Sequence, residues 1–127
     1  MRNQIAAYQE RLRELVQRTS QLGATPIFVT QVYWPHKYRN GTILGPSRLP
    51  SYRGVAINGV DRYRLMGLFN QATMKVCAES RGICINLAEE LVFADEDFYD
   101  GAHNTPEGAK KIGRYLYIKL KDVLILD

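Results

Sequence analysis

No run of residues in this chain approaches the roughly 18 uninterrupted apolar positions that a membrane span needs, so no span is expected. The charged, apolar and small-residue order of a signal peptide is also missing, because Met1-Arg2-Asn3 leads directly into an amphipathic segment. Cysteine is scarce. Cys77 and Cys84 are the only two, and their spacing is not that of a metal site. They read as small buried hydrophobes of a reducing compartment, with one on a helix and the other on the strand after it, which argues against a disulfide. The expected location is therefore cytoplasmic. Histidine is equally scarce: His36 and His103 lie far apart with no carboxylate cluster between them, which excludes a zinc site. The formal charge is +4, but basic and acidic residues are interspersed, with no basic stripe of the kind that binds nucleic acid.

What remains is ordinary globular material. With 127 residues, 46% hydrophobic and 24% charged, residues 1–127 fit a single domain with a modest core. Ile5, Tyr8, Leu12, Leu15, Val16 and Leu22 recur at helical spacing, which predicts a helix from Asn3 to Leu22 that Gly23 stops. Thr25 to Val32 reads as a strand buried on both faces, with Pro26 at its start. Tyr33 to Asn58, holding Pro35, Pro46, Pro50, Gly41, Gly45 and Gly54, reads as a long loop. A second helix is predicted from about Asp61 to Ser80, with Leu65, Leu68, Phe69, Ala72 and Val76 on one face. A second strand follows at Ile83–Leu87. The last helix begins near Thr105, a natural N-cap, with Pro106 at its first position and Ala109, Ile112, Leu116, Leu120 and Val123 on its buried face. The alternation of helix and strand predicts an α/β fold with a parallel sheet.

The chemistry is concentrated in Asp100-Gly101-Ala102-His103, set just before that last helix. An acid three residues ahead of an imidazole, backed by a rigid helix, suits a histidine acting as general base with an aspartate to orient it. Gly101 would let the backbone turn tightly between them. In an open parallel sheet, reactive groups gather beyond the carboxyl ends of the strands. That rule puts the Asp100–His103 segment, which follows the second strand, beside the long loop that follows the first. Within that loop Tyr33, Trp34, His36, Lys37 and Arg39 form an aromatic and cationic run. Tyr33 and Trp34 would pack on an acyl or sugar group, with His36 beside them and Lys37 or Arg39 attracting an anion. Packing of the same aromatics on the sheet edge is the alternative.

Asp100-Gly101-Ala102-His103-Asn104-Thr105-Pro106-Glu107-Gly108-Ala109 resembles the last motif block of the SGNH, or GDSL-type, serine hydrolases, in which a D-x-x-H motif is followed by a polar cap and a helix containing a glycine. Leu22-Gly23-Ala24 and the strand Thr25-Pro26-Ile27-Phe28-Val29-Thr30-Gln31 resemble the segment upstream of it in that family. The resemblance implies a flavodoxin-like three-layer α/β/α fold, of which this chain carries the C-terminal part of the parallel sheet and its flanking helices. It implies hydrolysis of a lipid, sugar or small acyl ester through an acyl-serine, with Asp100 and His103 as the catalytic pair and no metal or organic cofactor.

The same family carries its nucleophile in a Gly-Asp-Ser block and its oxyanion-hole Gly and Asn in two further blocks, none of which occurs among these residues. Ser20, Ser47, Ser51 and Ser80 have neither a Gly-Asp-Ser nor a G-x-S-x-G setting. Ser20 and Ser80 fall at helix ends, and only Ser47 merits a test as a substitute. Whether this chain is by itself an enzyme is left open by that gap. The expected partner is a second copy, or a complementary N-terminal half that brings the serine. The contrasting reading is a non-catalytic α/β binding or assembly module in which Asp100 and His103 are structural.

Overall fold

Gly23 ends the first helix by adopting the left-handed conformation, with φ at +72°. The Ala24 N–H then reaches the Thr19 carbonyl at 3.2 Å and the Gly23 N–H reaches the Ser20 carbonyl at 3.0 Å, the paired bonds of a Schellman end. The computed structural model describes residues 2–34, 36–47, 49–52 and 54–123. Their order is α1 (Arg2–Gln21), β1 (Ile27–Val29), β2 (Lys37–Arg39), β3 (Thr42–Leu44), β4 (Leu49–Tyr52), β5 (Val55–Ile57), α2 (Gly59–Glu79), β6 (Ile83–Ile85), α3 (Leu87–Glu90), a 3₁₀ turn at Asp95–Asp97 and α4 (Pro106–Leu120). The chain is mixed α/β, with one parallel strand pair among the described residues. It divides into two compact units, one of residues 1–32 and 61–88, the other of residues 33–60 and 89–127.

In the first unit β1 and β6 pair in parallel, with Ile27 opposite Ile83, Phe28 opposite Cys84 and Val29 opposite Ile85. Phe28 packs with Val76 and Cys77 of α2, and Leu12 and Val16 of α1 close over them. Tyr8 meets the edge of the Phe69 ring and its hydroxyl lies 2.9 Å from Thr73 Oγ1. The end of β1 is finished by side chains. Thr30, buried, donates to Asn86 Oδ1 and accepts the Ala88 N–H, while the Asn70 amide donates to the Gln31 carbonyl and accepts its N–H. Both strands are shorter than the sequence predicts: the Thr30 N–H still bonds the Ile85 carbonyl, but the Gln31 N–H and carbonyl are taken by Asn70 and the Ala88 N–H by the Thr30 hydroxyl.

The expectation of two free thiols is wrong. Cys77 and Cys84 are joined by a disulfide, with Cα atoms 5.8 Å apart. Helix and strand placement did not separate them, because α2 stops at Glu79 and a tight turn sends the chain straight back. In that turn Ser80 Oγ donates to the Cys77 carbonyl and accepts the Gly82 N–H. A Cβ on Gly82 would fall 2.8 Å from the Pro26 carbonyl oxygen, so only glycine lets the turn come this close.

In the second unit the predicted long loop contains two antiparallel hairpins, β2–β3 and β4–β5. Asn40 and Gly41 make the first turn with φ of 49° and 75°, both positive as a two-residue type I′ hairpin requires. The Gly59 N–H bonds the Pro46 carbonyl at 2.8 Å and closes the base of the segment. Thr105 caps α4 by accepting the Gly108 N–H. Ile112, Leu116 and Leu120 are half-buried as expected, but Ala109 and Val123 are exposed. Glu90 of α3 accepts from the Tyr115 hydroxyl and pairs with Lys119, tying α3 to α4.

The disulfide carries the first prediction. Denatured but unreduced protein will present no thiol to an alkylating reagent. Reduction will lower unfolding stability by about 2.4 kcal/mol, the loop-entropy value for a link spanning so few residues. Alkylation of both cysteines without reductant would contradict it.

Candidate active site

The segment that bears Asp100 and His103 is a closed loop, and its closure begins with Asp97. This residue ends the 3₁₀ turn and is 5% exposed. Its Oδ2 accepts the Lys111 ammonium at 2.7 Å and the Ala94 N–H at 2.8 Å. The bond from Lys111, followed by that from Ala94, holds the carboxyl below the usual carboxylate range against the opposing effect of burial. Its backbone carbonyl accepts the Thr105 N–H at 3.0 Å, and the Asn104 side chain approaches it at 3.4 Å. Gly108 sits directly over that carbonyl, where an added Cβ would fall 2.1 Å from the oxygen. Within the loop Phe98 bridges to Asn104, and the Tyr99 N–H donates to the His103 carbonyl at 2.8 Å.

At the tip of the loop Asp100 Oδ2 lies 2.7 Å from His103 Nδ1. Its other oxygen, Oδ1, accepts the Ala102 N–H at 2.7 Å and the His103 N–H at 2.9 Å. These bonds hold the Asp100 carboxyl down at about 2, the Ala102 N–H first, then the imidazole and the His103 N–H. Asp100 is thus a carboxylate at any physiological pH, with one oxygen bonded to the backbone and the other to the imidazole. Both side chains are open to solvent, 56% for Asp100 and 79% for His103.

Gly101 serves this loop by its size. It does not take up the left-handed conformation that a tight-turn role would use. A Cβ there would lie 2.3 Å from the Trp34 carbonyl oxygen and 3.1 Å from the phenol end of Tyr33. The structure therefore brings Tyr33 and Trp34 against the Asp100–His103 loop. The Trp34 ring is stacked on Phe98, with centroids 5.4 Å apart and planes 3° from parallel. His36 lies 5.5 Å from the same indole, and its Nδ1 is 3.2 Å from the Tyr33 carbonyl. Burial pushes the His36 imidazole below its ordinary range, partly offset by that carbonyl. Arg39 is exposed at the end of β2. The side chain of Lys37 lies outside the described residues.

Asp97, Phe98 and Lys111 were not singled out from the sequence. Gly108 was the signal available. A glycine in the first turn of a helix costs stability, and here it is required because the turn rests on a backbone carbonyl. Among the described residues no group of three or more His, Cys, Asp or Glu could hold a metal ion. Compared with family models, with curated proteins and with solved structures, the chain finds no match.

The Asp100 titration will fall near pH 2 by carboxyl NMR. It will stay below the ordinary 3.8 in His103→Gln, because the Ala102 N–H remains in place. A folded value below the unfolded one stabilises the native state above the unfolded value, and that contribution is lost as the pH falls through about 2. An Asp100 midpoint at or above 3.8 in the parent would contradict this geometry.

Proposed function

We propose that this chain is the C-terminal portion of an SGNH-type ester hydrolase, in which Asp100 and His103 form the acid–base half of a serine triad. The 2.7 Å contact between Asp100 Oδ2 and His103 Nδ1, in a D-x-x-H loop set ahead of a capped helix, carries this reading. With Nδ1–H donated to Asp100, Nε2 is the basic nitrogen. It would take the proton from a serine hydroxyl as the oxygen attacks the ester carbonyl, and return it to the departing alkoxide, leaving an acyl-serine. Water, deprotonated by the same Nε2, would release the acid and regenerate the serine. Tyr33, Trp34 and His36 would supply a wall for the acyl or alcohol portion.

None of the four serines supports a nucleophile's role by its setting. The Ser80 hydroxyl is engaged in the turn after α2, and Ser20 lies within α1. The serine would therefore come from a complementary N-terminal half. Among the described residues β1 pairs only with β6, and Ile27 and Val29 are 41% and 38% exposed. A strand from that half would cover this edge, since parallel strands are ordinarily flanked on both sides and buried on both faces. The Cys77–Cys84 disulfide favours an oxidising compartment over the cytoplasm.

One observation favours the non-catalytic reading. Asp100 Oδ1 accepts two backbone N–H groups of its own loop, a structural duty sufficient to explain an aspartate there. Activity separates the two readings. The isolated chain will hydrolyse activated esters no faster than a histidine-bearing control and will resist a serine-directed fluorophosphonate. Combined with a serine-bearing N-terminal half it will gain activity, and Asp100→Asn will then cost about 10⁴-fold in rate, as for other triad aspartates. Stoichiometric labelling of the isolated chain, at Ser47 above all, would overturn the split-site account. An active combination indifferent to Asp100→Asn would favour the structural role.

A further inference from the structure

Asp100 and His103 are largely exposed, and an exposed ion pair does little to hold its own geometry. Their alignment must be imposed through the loop backbone. Besides the closure at Asp97, one residue outside the loop grips it at two places. The Trp34 N–H donates to the Gly101 carbonyl at 2.8 Å, and the Trp34 indole lies flat on Phe98. These contacts fall one residue after Asp100 and two residues before it. The missing side chain of Gly101 is what permits the approach, since a Cβ would collide with the Trp34 carbonyl oxygen at 2.3 Å. Phe98 is itself backed by Phe93, at 5.2 Å and 54°. Lys111, the partner of Asp97, lies over the Phe93 ring at 5.6 Å.

We infer that Trp34 is a positioning residue: with Gly101 as its seat, it clamps the 98–104 loop so that the Asp100 carboxylate faces both its own loop N–H groups and His103 Nδ1. This deepens the hydrolase reading and rests on it for its catalytic meaning, but the geometry is testable without activity. With one indole face committed to Phe98, Trp34 joins the segment of the proposed substrate wall to the loop of the proposed base. A ligand that displaced Tyr33 or Trp34 would be felt at the pair.

The test is carboxyl NMR titration of Asp100 in the full chain, with the amide spectrum confirming the fold of each variant. In Trp34→Ala the Asp100 midpoint should rise toward the ordinary carboxylate value by about one pH unit, a tenfold change in proton affinity, as the N–H groups of Ala102 and His103 cease to converge. Both variants keep the main-chain N–H to Gly101 and differ at the stack on Phe98, where Trp34→Phe keeps a flat ring and should therefore restore the parent midpoint. Gly101→Ala should act like Trp34→Ala; should it fail to fold, the two Trp34 variants decide. A parent-like midpoint in a folded Trp34→Ala protein would overturn the inference. That outcome is distinct from failure of the hydrolase reading, which would appear as an inactive combined protein with the Asp100 titration still dependent on Trp34.

Discussion

The candidate site depends on one buried carboxylate. Removing the Asp97 side chain from water costs several kcal/mol unless the charge is matched, and Lys111 and the Ala94 N–H provide the match. The same residue uses its backbone carbonyl to hold the Thr105 N–H, so the two ends of the 98–104 loop are fixed to each other. Lys111 and Thr105 both belong to the α4 region, and Gly108 lets the first turn of that helix rest on Asp97. The loop, the helix cap and the Asp100–His103 contact are thus consequences of one anchored turn. Breaking the Asp97–Lys111 pair would leave a charge buried at the base of the loop, a more disruptive change than losing an exposed pair at its tip.

This hierarchy explains how the Asp100–His103 contact keeps its geometry in solvent. Asp100 spends one oxygen on two N–H groups of its own loop and offers the other to the imidazole. The backbone thereby sets the direction of the carboxylate before His103 adds its bond. A second face, presented by Tyr33 and Trp34, leans on Gly101 where no other residue would fit. None of the four serines stands in a Gly-Asp-Ser or G-x-S-x-G setting, and the edge of β1 left unpaired among the described residues is where a complementary strand is proposed to add.

Much of this was legible from residue pattern. α1, α2 and α4 follow from apolar spacing and from Gly23, Thr105 and Pro106, and the pairing of two parallel strands follows from the helix–strand alternation. The hairpins were legible too, since Asn40-Gly41 is a strong turn signal, but three prolines and three glycines in residues 33–58 pointed to an irregular loop instead. Cys77 and Cys84 lie on elements of different type, and only the tight turn at Ser80–Gly82, which no apolar spacing reveals, brings them together. Asp97 could not be found by spacing: its partner Lys111 is fourteen residues away, and only the fold makes them neighbours. For Gly101 the sequence pointed to a special residue but not to the cause, which is lack of room and not backbone angle.

The central claim is that the anchored loop orients His103, the proposed base, with its Nδ1 hydrogen committed to Asp100 and its Nε2 lone pair available. Long-range ¹⁵N–¹H correlation of the neutral imidazole measures this directly. The account predicts that His103 is the Nδ1–H tautomer in the parent chain and that the preference weakens in Asp100→Asn. A neutral His103 present mainly as the Nε2–H tautomer, with the same ratio in Asp100→Asn, would contradict it.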